Sequence, residues 1–223
     1  MSSNSSSPSH GKAVEELRRL YEERKEAIWS RLQDFKQILQ RTEEELFAEL
    51  CFCLLTPQSS AKACWNAVMR LREKGFLLKG SPLELEPLLN DVRFNDSKAK
   101  YIVQARDMFS KDGDLRVKSH ITSFFNPYES RDWLVENVMG LGYKEASHFL
   151  RNIGLGEEFA ILDRHILKHL VKNGVIPEVP KSITDKKYFE IENRMREFSQ
   201  QTGIPMSHLD LLWWSEEAGE IFK

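Results

Sequence analysis

The chain has 223 residues, enough for one large domain or two small lobes around a real core. Hydrophobic residues make up 41%, and 32 Lys plus Arg against 34 Asp plus Glu leave a net charge of −2, so no global field marks a polyanion partner. Even the richest apolar run, 46–55, is broken by Glu49, well short of the roughly 18 residues a membrane helix needs, which excludes a helical transmembrane protein. Any nucleic-acid binding must come from a local site.

Residues 1–12 hold six serines and no apolar block, and read as a disordered leader with no secretory signal. From 13 to 39, Leu17, Leu20, Tyr21, Ile28, Leu32, Phe35, Ile38 and Leu39 recur at helical spacing, predicting one long amphipathic helix or two joined ones with a solvated charged face. Thr42 with Glu45 makes a capping box for the helix to Leu55, and the loop 56–60 stops it and caps the next, which ends near Gly75. Ser81-Pro82 and Asp96-Ser97 precede two further helical runs, the second over 99–109. The stretch 111–126 lacks a clear period and reads as loop with some helix. Pro127 opens a helix that breaks at Gly140-Leu141-Gly142 and restarts at once. Asp163 caps a helix to Asn173-Gly174, Thr184 starts one reaching Thr202-Gly203, and 206–219 forms the last.

The chain is thus expected to be all-α, with a helix, a tight hairpin and a helix over 138–153. Cys51, Cys53 and Cys64 are an odd set, two of them inside an apolar helical run, and read as buried small hydrophobes in a reducing compartment.

Two glycines around an apolar residue let the backbone turn sharply and expose the amides of the next helix, which with the helix dipole can grip a phosphate. The same sequence also suits a plain turn between helices. Lys144 stands in the first turn of that helix, where a cation is disfavoured and a neutral, nucleophilic amine favoured, unless its flexible stem carries the charge into solvent. Nineteen residues on, Asp163 precedes a helix. As an N-cap it stays ionised, and a fixed carboxylate can also face the positive charge that builds on a sugar losing its base. His165 and His169 share a helix face, with His148 elsewhere, but no carboxylate or cysteine in the sequence completes a metal set around them.

The run 138–146, Val-Met-Gly-Leu-Gly-Tyr-Lys-Glu-Ala, followed by Ile161-Leu162-Asp163-Arg164-His165-Ile166, resembles the signature of the helix-hairpin-helix DNA glycosylase superfamily with its lysine and aspartate. Within it, 142–152 is similar to the archaeal-type second class of 8-oxoguanine DNA glycosylase/AP lyase. The likeness extends from about Thr42 to Lys223 and is strongest over 138–170. It departs from the superfamily pattern in placing Met139 where a proline is common and in lacking a four-cysteine cluster, both in keeping with the cluster-free 8-oxoguanine class.

The resemblance implies two helical lobes with a helix-hairpin-helix motif and an active-site cleft between them, one lobe from both chain ends, 13–50 with 155–223, and the other over 51–154, ending in the hairpin motif at 138–153. It implies a bifunctional enzyme that excises 8-oxoguanine and nicks the abasic strand by β-elimination through a Lys144 Schiff base, with Asp163 as its carboxylate. Gly140, Leu141 and Gly142 would hold the DNA backbone, and Gln58 would enter the duplex where the base has left, unless its loop is an ordinary polar one. Phe94, Trp214 and the carboxylate of Lys223 would recognise the base; the competing readings are core aromatics and a frayed tail. The same resemblance implies no cofactor and no iron–sulfur cluster, while leaving room for an alkali ion on hairpin carbonyls. It further implies a monomer in the cytoplasm at the nucleoid, acting on double-stranded DNA with 8-oxoguanine or abasic sites. The same chemistry on another damaged base, a non-catalytic hairpin module that only binds DNA, and a helical protein scaffold are the alternatives.

Overall fold

The computed structural model describes residues 8–223 and is helical almost throughout. Its contacts separate two units, one running to Asp34 and resuming over Glu157–Lys223, the other Phe35–Gly156. The boundaries expected at 50/51 and 154/155 therefore move, and the reason is α2 (Glu43–Leu55). Every residue from Leu46 to Leu55 is buried, so this helix needs cover on all sides and belongs whole to the central unit. Of the expected leader, 1–7 lie outside the described residues, whereas 8–12 already belong to α1 (Pro8–Ile38).

In the terminal unit α1 buries Leu17, Tyr21, Ile28 and Leu32. Its polar face is not simply solvated. Arg18 Nε donates to the Thr202 carbonyl (3.1 Å), Tyr21 Oη bonds His208 Nδ1 (2.9 Å), Arg24 donates to Ser215 Oγ (2.5 Å) and Arg31 Nε to the Phe222 carbonyl (2.5 Å). These acceptors lie on or beyond α11 (Asp185–Thr202) and α12 (Met206–Ala218), so α1 is laced to the C-terminal part by residues three to seven positions apart. The remaining helix of this unit, α10 (Arg164–Lys172), packs against α12, where Trp213 is fully buried and stacks on His169 (5.6 Å between ring centres).

In the central unit α2 is covered by α3 (Ala61–Glu73), α6 (Asn95–Phe109), α7 (Val117–Ile121) and α9 (Tyr143–Asn152). Two short helices, α4 (Phe76–Lys79) and α5 (Pro82–Leu85), and a 3-10 turn at Glu86–Leu89 lead into α6. The stretch expected to be loop with some helix contains α7 and, at its start, a two-residue antiparallel ribbon, β1 (Ser110–Lys111) with β2 (Asp114–Leu115). The signal for it was Asp112-Gly113, whose φ values of 55° and 87° are those of a tight hairpin turn. Helix α8 (Pro127–Asn137), capped by Asn126, packs against α9, and Arg131 from α8 donates to Ser147 on α9 (3.2 Å).

The capping box of α2 is present as read: the Glu45 amide donates to Thr42 Oγ1 (3.3 Å) and the Thr42 amide to Glu45 Oε2 (3.2 Å). Among the described residues no helix is long and apolar enough to cross a membrane. Replacing Thr42 by Ala is expected to cost about 1 kcal/mol, lowering Tm by roughly 2–4 °C in scanning calorimetry, because one orphan amide of α2 loses its acceptor.

Candidate active site

The break between α8 and α9 is a tight turn in which the Leu141 amide donates to the Val138 carbonyl (3.1 Å). Its two glycines have different duties. Gly140 has φ of +94°, and a Cβ there would lie 2.6 Å from Cδ2 of Tyr101 on α6. Gly142 has an ordinary extended backbone (φ −101°), and its amide donates to Glu145 Oε2 (3.3 Å). The Leu141 and Gly142 amides, in the hairpin itself, already have acceptors. Leu141 is also only 6% exposed, so its side chain belongs to the core and only backbone can face a phosphate, while Met139 stands out at the tip, 61% exposed. A backbone clamp for phosphate must draw on the first turn of α9, whose amides have no intrahelical acceptor.

Lys144 is in that turn. Its stem does not simply lie in solvent, since Nζ donates to Thr56 Oγ1 at the C-terminal end of α2 (3.2 Å) and lies 3.3 Å from Glu145 Oε1, with 22% of the side chain exposed. Thr56 and Glu145 are the two partners that sequence reasoning missed. Glu145 was visible as a neighbour, but Thr56 is 88 positions away and carries no local signal. Cys64 lies in the same region, its thiol bonded to the Leu55 carbonyl (3.2 Å) and its pKa raised by burial to about 11. It stays protonated near neutral pH and offers no competing thiolate. All three cysteines are free and buried, as read.

Asp163 lies in the terminal unit, half-buried, and caps α10. The amides of His165 and Ile166 both donate to Oδ1 (2.8 Å each), which leaves Oδ2 without a partner among the described residues. One carboxylate oxygen holds the helix and the other is open for chemistry. The segment leading to it is fixed at Ala160, whose amide donates to the buried Glu192 (2.8 Å) and whose carbonyl accepts from Tyr188.

Gln58 is exposed and Phe94 is 52% exposed, so neither is a core residue, and both have left-handed backbones (φ 56° and 58°). Such conformations cost a bulky residue about 1–3 kcal/mol each and collect at functional sites. The Arg93 guanidinium sits over the Phe94 ring (5.3 Å). Trp213 is core, whereas Trp214 is half-buried; Lys223 is only 8% exposed and its neighbour Phe222 is held by Arg31, so the tail is packed rather than frayed.

The histidines do meet carboxylates, contributed by α12 rather than by their own helix. His165 Nδ1 is 3.2 Å from Glu217, and His169 is 3.5 Å from Glu217 and 3.7 Å from Glu216. Burial pushes the His169 pKa down, against the pull of Glu216. Among the described residues no group of three or more His, Cys, Asp or Glu is disposed to hold a metal ion.

A family model described as 8-oxoguanine DNA glycosylase matches residues 28–204. The 8-oxoguanine DNA glycosylase/AP lyase of Fusobacterium nucleatum is 46% identical over 209 residues, covering 93% of this chain and 96% of that protein. That of Methanocaldococcus jannaschii is 40% identical over 214 residues, covering 95% and 98%. The crystal structure of the M. jannaschii glycosylase/lyase in complex with a 15mer DNA containing 8-oxoguanine matches with a TM-score of 0.84 at 37% identity, covering 94% of this chain and 99% of that one. The structure of the Thermotoga maritima 8-oxoguanine DNA glycosylase matches with a TM-score of 0.81 at 34% identity, covering 96% and 100%.

The two glycines separate by substitution. Gly140→Ala is expected to lose about 1–3 kcal/mol in urea unfolding, through its positive φ and the Tyr101 overlap, whereas Gly142→Ala, facing only a movable carboxylate, stays within about 1 kcal/mol of wild type.

Proposed function

The chain belongs to the 8-oxoguanine DNA glycosylase family, and we propose that it excises 8-oxoguanine from duplex DNA and nicks the resulting abasic strand, with Lys144 as nucleophile. The observation that carries this reading is the Lys144 amine, held between the Thr56 hydroxyl and the Glu145 carboxylate in the first turn after the hairpin.

The damaged nucleotide leaves the stack at a cost of a few kcal/mol, which contacts to the extruded base must return. The neutral Lys144 amine attacks C1′ as the C1′–N9 bond breaks, and the bonding pair leaves with the base, which takes up a proton. Asp163 Oδ2 is suited to stabilise the oxocarbenium character of the sugar and to accept a proton from the amine, Oδ1 being occupied by the cap. Ring opening breaks the C1′–O4′ bond and gives a protonated Schiff base. Loss of a C2′ proton then expels the 3′ phosphate by β-elimination, and water releases the lysine. This sequence calls for an amine and a carboxylate and for no cofactor.

The remaining roles follow the same reading. The amides of the first turn of α9, exposed by the hairpin of Gly140, Leu141 and Gly142, hold the phosphates, with room for an alkali ion on hairpin carbonyls. Gln58 fills the gap in the duplex, its exposed left-handed placement supporting that role. Phe94, Trp214 and the Lys223 carboxylate read the base. Because one chain supplies the full set, a monomer suffices, working on chromosomal DNA in the cytoplasm.

Two substitutions test the chemistry on duplexes containing 8-oxoguanine. Lys144→Gln is expected to abolish the borohydride-trapped adduct while still binding DNA; undiminished trapping would refute its role. Asp163→Asn retains an N-cap of equal quality but loses the charge, so it should fold normally and release base about 10²-fold more slowly under single-turnover conditions.

A further inference from the structure

Lys98, on α6, is a buried lysine, 3% exposed. Its ammonium donates to the Leu55 carbonyl (2.7 Å), the Pro57 carbonyl (2.7 Å) and Ser59 Oγ (3.2 Å), which uses all three of its protons. The two carbonyls flank Thr56. Thr56 spends its own hydroxyl proton on the Cys53 carbonyl (2.9 Å), so an oxygen lone pair is left facing Lys144 Nζ (3.2 Å). Gln58, in the same loop, has a left-handed backbone. Ser59 carries the link one step further, for it accepts the Arg93 amide (3.0 Å) and so ties in the loop bearing Phe94.

We propose that Lys98 is a positioning residue for the lysine chemistry, a three-point clamp on the 55–59 loop that sets the Thr56 acceptor of Lys144 and the projection of Gln58. An ammonium suits this task because three donors leave one atom and reach three separate acceptors, a geometry no apolar side chain reproduces. Burial pushes the Lys98 pKa below the ordinary lysine value, and the charge of Lys144 pushes the same way. Without the ammonium, the Leu55 and Pro57 carbonyls and Ser59 Oγ would lose their shared donor, so the conformation of the loop is tied to Lys98.

The inference rests on the proposed function and is tested so that the two fail separately. Wild type, Lys98→Met and Thr56→Val are mixed in excess with a duplex carrying a preformed abasic site, and the rate of borohydride-trapped adduct is measured at saturation. Melting temperature and affinity for undamaged duplex are measured beside it. Both variants are expected to trap at least about tenfold more slowly at saturation, with affinity for undamaged duplex within about threefold of wild type, because the amine is misplaced rather than the DNA surface lost. Thr56→Val keeps the clamp and is nearly isosteric, so its rate alone can overturn the proposal even if Lys98→Met does not fold. Trapping by Thr56→Val at the wild-type rate, or by a folded Lys98→Met at that rate, would overturn the proposal. Absence of any adduct with the wild-type chain would instead overturn the functional reading beneath it.

Discussion

The antiparallel pairing of α2 and α9 is the constraint on which the placement of Lys144 depends. It is pinned at both ends by polar contacts. Asn152 at the end of α9 donates to the buried Glu49 on α2 (3.1 Å), and Lys144 at its start donates to Thr56 just beyond α2 (3.2 Å). The intervals match, seven residues on one helix and eight on the other, about two turns of each. Because α2 is buried along its length from Leu46 onward, α9 cannot slide along it without leaving polar groups unpaired in the core. An amine held this way gives up most of the rotamer freedom that a lysine at the surface keeps, which is what a nucleophile needs and a solvated charge does not.

Helix α6 is the second support. Lys98 and Tyr101 are three residues apart and so share a face, the one clamping the 55–59 loop and the other lying against Gly140. One rigid helix thus backs both the loop carrying Gln58 and the turn that starts α9. Its own start carries Phe94 in a left-handed backbone. Strain at Gln58 and Phe94 is tolerated because the hydrogen bonds around Ser59 hold both neighbouring loops. In the terminal unit the same economy appears at Asp163, where one carboxylate oxygen caps α10 and the other has no partner among the described residues.

Much of this was legible in the sequence because it is local. The capping box at Thr42 and Glu45, the caps Ser60, Asp163 and Thr184, and the break at Gly140 each depend on residues within four positions, and all stand where the pattern put them. Lys144 and Asp163 stood out for the same reason, each in the first turn or cap of a helix. What escaped was long-range. Nothing near Thr56 announces Lys144, nothing near Lys98 announces the loop it clamps, and the polar face of α1 looked solvated because its acceptors lie more than 180 residues away. The burial of Leu141 was missed because an apolar residue between two glycines reads equally as tip or anchor. The ribbon at 110–115 was missed because two-residue strands are too short to show an alternation of apolar and polar residues.

The account stands or falls on which nitrogen bonds to the sugar, and two lysines lie close together in this region. Reducing the complex with an abasic duplex, digesting both protein and DNA, and sequencing the modified peptide by tandem mass spectrometry reads that atom directly. The account expects the sugar-derived mass on Lys144 alone. Finding it on Lys98, or on any other lysine, would contradict it.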